Sequence, residues 1–293
     1  MKFHIICLWV TFAFSSLLAQ DSSKYIILPK GHVFQPIYLD PTECQSYGGF
    51  FDTWDRGDQF KDYKFRWQFS FGFQKALIKK QVSAEKQWDW AIEVAALTQF
   101  GLTKNLLAKL GNNTKNTSTY ESDILNTDYR IGFPLSYKLG DYGIRFNVFH
   151  TSTHLGNEYM VIHHIFYFIP DPGNFEQAEA LVSRTIGKFR YYGGSGIVIS
   201  PGGVRKRISF QLGFQFTKPT SNPRFRWVGG TDIKIWQQNN FLPAINAGAG
   251  FEFGKQDDGI KMLATYYYGN IPYSIYTNIL LQWVAVGFYF NPS

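Results

Sequence analysis

The stretch "KFRWQFSFGFQ", residues 64–74, alternates without a break between large apolar and polar side chains. In steps of two, Phe65, Trp67, Phe69, Phe71 and Phe73 fall together, opposed by Lys64, Arg66, Gln68, Ser70, Gly72 and Gln74. Successive side chains of a β-strand point to opposite faces, so this is the period of a strand with one apolar and one polar face. The same split returns in "RISFQLGFQFT" (207–217), where Ile208, Phe210, Leu212, Phe214 and Phe216 oppose Ser209, Gln211, Gly213, Gln215 and Thr217. It returns again in "QWDWAIEVAAL" (87–97), with Trp88, Trp90, Ile92 and Val94 against Asp89 and Glu93.

Length separates the two kinds of sheet that alternate in this way. Strands of soluble sandwiches run to about 5–6 residues, whereas crossing a bilayer takes about 9–11 residues of tilted strand. The runs here have the longer dimension, so the aromatic face is read as facing lipid and the polar face as facing a lumen. Composition agrees: the chain is 18% aromatic, yet its mean hydropathy is only −0.19. The apolar residues are interleaved with polar ones rather than gathered into long runs.

Alternation and turn residues predict about twelve strands, at 44–54, 64–78, 86–100, 126–139, 142–154, 178–187, 189–199, 206–217, 224–237, 242–254, 259–269 and 278–290. The fold class is therefore all-β, a closed antiparallel transmembrane β-barrel. With both ends in the periplasm, "LGDYG" (139–143) and "GK" (187–188) become short inner turns, and 101–125 and 155–177 become long outer loops, the asymmetry such barrels have. The last strand, "TNILLQWVAVGFYFNPS", carries alternating Phe288 and Phe290, the form of a signal read by the barrel-assembly machinery.

The chain opens "MKFHIICLWVTFAFSSLLAQ", with Lys2 ahead of a short apolar run and the small Ala19 before polar residues. This pattern predicts a cleaved secretory signal at 1–19. Residues 20–43 then form a periplasmic or plugging segment, and 44–293 the barrel, placed in a bacterial outer membrane. Cys7 leaves with the signal, so Cys44 has no partner for an intramolecular disulfide. The formal net charge of +7 is spread singly among aromatics, which with export argues against nucleic acid as a partner. Lipid and the assembly machinery are the expected partners. No phosphate-binding loop, Cys-based metal motif or His-Glu zinc motif occurs; "HH" at 163–164 and the sequons at Asn112 and Asn116 are read as incidental.

Chemistry concentrates in "FHTSTHLGNEY" (149–159). Ile144, Phe146 and Val148 mark the lipid face of the strand 142–154, with Arg145 and Asn147 toward the lumen. By parity His150, Ser152 and His154 continue the lipid face and Thr151 and Thr153 the lumen face. At about 3.3 Å per residue and a tilt of about 40°, His150 stands roughly 20 Å and Ser152 roughly 25 Å above the inner turn, at the outer interface. Polar groups cost only about 0–1 kcal/mol at that depth, so a plain rim role accounts for them too. It is also where a lipid ester could meet a nucleophile: His150 would take the Ser152 proton, Ser152 would attack the acyl carbonyl, and Asn157 or Glu158 would orient the imidazole or hold a cation. His154 could stand in for His150. No cofactor is expected, apart from calcium if the site is a lipid hydrolase. The competing account lies in the lumen, where Arg66, Asp89, Glu93, Arg145, Arg226, Asp232, Lys234 and Glu252 fall on inward positions. Their mixed signs suit a narrow channel or, as preferred here, a filled lumen.

Three phrases together, "ILPKGHVFQPIYLDP" (27–41), "DYRIGFPLSYKLGDYGIRFNVFHTSTHLGNEY" (128–159) and "YYYGNIPYSIY" (266–276), resemble domain-of-unknown-function family 1207, exported bacterial proteins. The resemblance spans nearly the whole chain after the signal and implies an envelope location but no activity. In that family an Asp often stands where this chain has Asn157. Separately, "HTS" at 150–152 is similar to the His-x-Ser that outer-membrane phospholipase A and the outer-membrane lipid A deacylase carry on a barrel strand.

Overall fold

The computed structural model describes residues 24–54, 63–104, 120–162, 173–200, 205–254, 259–273 and 279–290. Fourteen strands form its single sheet. In chain order they are β1 (Lys24–Ile27), β2 (Ser46–Trp54), β3 (Tyr63–Gln81), β4 (Lys86–Lys104), β5 (Tyr120–Gly132), β6 (Leu135–Leu139), β7 (Tyr142–Leu155), β8 (Phe175–Ile186), β9 (Phe189–Ser200), β10 (Ile208–Pro219), β11 (Phe225–Trp236), β12 (Pro243–Phe253), β13 (Ile260–Asn270) and β14 (Leu280–Phe290). A short helix α1 (Asn157–Ile162) follows β7. Neighbouring strands are antiparallel, and β14 pairs with β2, which closes the sheet on itself.

Twelve staves make up the wall, because β5 and β6 lie end to end between β4 and β7. One strand was expected at 126–139; the ladder instead breaks at Phe133 and Pro134. Proline has no N–H to give a ladder, but its carbonyl still accepts from Ala91 N–H (2.9 Å), and Phe133 N–H bonds Val148 O (3.0 Å). The stave is interrupted without opening the wall. β1 is a further addition, pairing with the inner end of β3, at Ile78–Gln81, below the reach of β2.

The two faces separate as the sequence period requires. On β7, Arg145, Asn147, Phe149, Thr151 and Thr153 are buried, while Phe146 and Val148 are about half exposed outward. Around the inner rim outward aromatics cluster, Phe225, Trp227, Phe251 and Phe253 in one group and Phe189, Tyr191, Phe214 and Phe216 in another. Such girdles sit at the boundary of hydrocarbon and headgroup. Among the described residues no helix is long and apolar enough to cross a membrane.

The lumen is filled. Residues 33–45 run through it as irregular chain, with Phe34, Ile37 and Leu39 almost wholly buried. Such chain has no ladder for its own polar groups, so the wall must supply partners. Asp89 Oδ2 accepts from Val33 N–H (2.8 Å), Arg190 Nη1 donates to Gln35 O (2.7 Å), Asn246 Nδ2 to Leu39 O (2.7 Å) and Arg130 Nη1 to Thr42 O (3.2 Å). Two carboxylates on the segment meet wall cations: Asp40 with Lys234 (2.7 Å) and Glu43 with Arg145 (2.6 and 3.2 Å). Burial works against ionising Asp40, but the Lys234 ammonium and the Thr42 N–H outweigh it and hold the carboxyl below its ordinary range. A second layer ties Glu93 to Arg130 (2.9 Å) and Asn147 (2.7 Å). At Gly72 of β3 the segment presses on the wall: a Cβ there would stand 2.9 Å from the backbone of Gln45.

Breaking one of these buried pairs should cost more than removing it whole. Arg145→Met leaves the Glu43 carboxylate alone in the lumen and is expected to lower stability by about 3–5 kcal/mol, whereas Glu43→Leu with Arg145→Met should recover most of that loss. Urea unfolding of the detergent-refolded variants measures both.

Candidate functional site

The outward groups of β7 near its outer end are His150, Ser152 and His154, on the parity of the lipid-facing Phe146 and Val148. Registers on both sides choose their neighbours. The β7–β8 ladder sets His150 opposite Glu176, and the β5–β7 ladder sets Ser152 opposite Tyr129 and His154 opposite Thr127. Residues directly opposed in a sheet have Cβ atoms about 4.5–5.5 Å apart, close enough for side chains to bond.

The contacts form two pairs. His150 Nδ1 and Glu176 Oε1 lie 2.8 Å apart, both side chains a little under half exposed. Ser152 Oγ and His154 Nε2 lie 3.1 Å apart, and the Tyr129 ring meets the His154 ring edge-on at 5.4 Å. A carboxylate partner favours the proton on His150 Nδ1, the tautomer in which a neutral ring would have its lone pair on Nε2. The contact orients the imidazole ring along the β7–β8 ladder.

Two contacts differ from the arrangement expected. Ser152 was expected to bond His150; its hydroxyl instead meets His154, because His150 is turned along the β7–β8 ladder toward Glu176. Asn157 or Glu158 was expected to orient the imidazole or hold a cation; Asn157 is exposed at the start of α1, and among the described residues no hydrogen bond joins it to His150, Ser152 or His154. The reason is position: Asn157 lies past the end of the strand, whereas Glu176 is a cross-strand neighbour. The Glu158 side chain lies outside the described residues. Among those described, no three His, Cys, Asp or Glu side chains converge on a common point as a cation cage would need.

Glu176 escaped the sequence because a long outer loop separates β7 from β8, and no tight turn fixes their register. A usable sign was present. In "FEQAEAL", Phe175, Gln177 and Leu181 are buried, so Glu176 has lipid-face parity, an unusual place for a carboxylate. The inward residues Asp89, Glu93, Arg145, Arg226, Asp232, Lys234 and Glu252 are all buried in the lumen, and the Arg66 side chain lies outside the described residues. The positions 163–164, 112 and 116 and the segment 1–19 lie outside them too.

A family described as "Protein of unknown function (DUF1207)" matches residues 13–291. The chain belongs to this family. No curated protein matches the DUF1207 chain. Solved structures do resemble it in fold. Outer membrane phospholipase A from Escherichia coli superposes with a TM-score of 0.55 at 11% identity, over 85% of this chain and 96% of that one. The Salmonella typhi outer membrane phospholipase dimer with bound calcium gives 0.54 at 12%, over 85% and 91%. An active-site mutant of the Escherichia coli enzyme gives 0.55 at 11%, over 94% and 96%. At such identities the likeness is one of fold, and this DUF1207 protein is an outer-membrane-type barrel whose aromatic outer face meets lipid.

Glu176 should be what fixes the His150 tautomer. Nitrogen NMR of histidine-labelled protein in detergent is expected to report an Nδ1–H form for His150, lost in Glu176→Leu, while the His154 signals stay within their original range.

Proposed function

We propose that this protein is an outer-leaflet lipid acyl hydrolase with Ser152 as nucleophile and His150, held by Glu176, as general base. The observation that carries the reading is the 2.8 Å bond between His150 Nδ1 and Glu176, two positions along the strand from a lipid-facing serine. A carboxylate, an imidazole and a hydroxyl in that order are the parts of an acyl-transfer site. The fold neighbours are named as outer membrane phospholipases, which agrees with the reading. A filled lumen turns attention from transport to the outer surface.

The hydroxyl rests on His154, and on this reading it must turn about the Ser152 Cα–Cβ bond and meet His150 Nε2 when substrate binds. As Ser152 Oγ bonds the acyl carbonyl carbon, its proton moves to that nitrogen, and the imidazolium is stabilised by Glu176. Collapse of the tetrahedral intermediate breaks the ester bond, and His150 returns the proton to the departing alcohol. Water, activated by the same imidazole, then releases the fatty acid. The interface depth suits this chemistry, since an ester group of the outer leaflet lies there beside the strand. Export by a cleaved leader at 1–19 and insertion by the barrel-assembly machinery complete the reading, and a requirement for calcium belongs to it as an open arm of the assay.

Release of fatty acid from phospholipid or lipopolysaccharide in mixed micelles, with and without calcium, tests it. Ser152→Ala should lose activity on the order of 10³-fold or more, with heat-modifiable migration unchanged. His150→Asn should approach that loss, and His154→Asn should keep most activity. A silent wild-type protein under both conditions, or equal release by Ser152→Ala, ends the proposal.

A further inference from the structure

At its inner end the lumen opens into a pit of about 780 Å³. Its floor is the segment from His32 to Tyr38, and its rim includes the turns at Asp141 and Lys188. Five basic side chains line it, Lys138, Lys188, Arg190, Arg226 and Lys261, against the acidic Asp141 and Glu252. Glu252 is already shared by Arg226 (2.8 Å) and Lys261 (3.0 Å). Two cations share that one carboxylate, and with Asp141 set against Lys138, Lys188 and Arg190 the opposite wall keeps the larger excess of positive charge.

Arg190, like the buried Arg205 farther up the lumen, differs from most of the inward cations. Arg130, Arg145, Arg226, Lys234 and Lys261 each have a carboxylate within 3.0 Å; among the described residues Arg190 has none. Its guanidinium carbon lies over the Phe34 ring, 4.3 Å from the centroid. Nη1 is spent on Gln35 O (2.7 Å) and Gln215 Oε1 (3.2 Å). Nη2 has no partner, nor has the Nε2 of Gln215, a residue only 6% exposed. Two N–H donors on neighbouring, packed side chains, one of them cationic, form the pattern that an oxyanion satisfies. Leaving such donors unpaired under a surface is costly, and a ligand that completes them gains by doing so.

We propose that this pit is a binding site, open to the periplasm, for a polar molecule bearing a carboxylate or phosphate group, which docks on Arg190 and Gln215 with Lys188 at the rim. Docking uncovers the two donors and draws their free N–H groups onto the anion. The volume exceeds that of a lone ion, so the anionic group belongs to a larger molecule. Two sources carry this chemistry on that side of the membrane: a phosphorylated solute and a peptide ending in a free carboxylate.

Isothermal titration of the full, detergent-refolded protein separates them, with inorganic phosphate, N-acetyl-dialanine and chloride as probes at constant ionic strength. Saturable binding of phosphate or of the peptide, absent with chloride, is expected, and the tighter of the two identifies the source. Arg190→Gln should weaken it about 10- to 100-fold, the loss that goes with a charged hydrogen-bonding group. Lys188→Gln should weaken it less, and Lys24→Gln, outside the pit, not at all. Heat-modifiable migration confirms that each variant is folded. Should Arg190→Gln fail to fold, Gln215→Leu, which removes one donor and no charge, must weaken binding in its place. No saturable binding of either oxyanion, equal binding of chloride, or an affinity unmoved by these substitutions overturns the proposal.

Discussion

A strand in hydrocarbon has no water to satisfy its N–H and C=O groups, and that constraint organises this molecule. It requires a closed sheet, which the β14–β2 pairing provides. Closure in turn creates an interior, and twelve staves leave one too wide for their own side chains to fill in every layer. Residues 33–45 take up that space. Their irregular backbone brings the same problem inside, and the solution is a set of wall side chains, Asp89, Arg130, Arg190 and Asn246, each bonded to one backbone group of the segment. The ionic pairs Asp40–Lys234 and Glu43–Arg145 then follow, because charges this deep are tolerable only when matched.

Most of the barrel was legible because its period is local. A face is decided by odd or even numbering, so Phe65 to Phe73, Ile208 to Phe216 and the inward Asp89 and Glu93 declare themselves within one strand. The break at Pro134 was visible as a residue but overridden by alternation that continues on both sides of it. What could not be read was pairing across distance. Nothing near Lys234 or Arg145 announces that their carboxylates, Asp40 and Glu43, come from the start of the chain. The site divides along the same line. Parity placed His150, Ser152 and His154 on one outward face, but the partner of each depends on ring orientation and on a register set across a long loop, so Glu176 and the Ser152–His154 bond are fixed only by the fold.

Filling the lumen also divides the surface into two separate environments. The lipid-facing rim holds a hydroxyl and two imidazoles in a medium where an acyl ester is the abundant electrophile. The inner pit is lined by cations, with amide donors packed just beneath its surface. Between them the inward residues Arg145, Asn147 and Thr153 of β7 are engaged with Glu43, Glu93 and Asp128. The two ends are free to have unrelated chemistry.

The segment that fills the lumen runs directly into β2, the strand at which the cylinder closes. Glu43, which grips Arg145, is only three residues ahead of Ser46, where β2 takes up its ladder with β14. Seam and stopper are thus one length of chain, and a mechanical load on either reaches the other through a few bonds. Prising β2 from β14 would drag the carboxylate from its guanidinium, and withdrawing the stopper would pull on the seam. The cylinder is locked from within by the strand that shuts it.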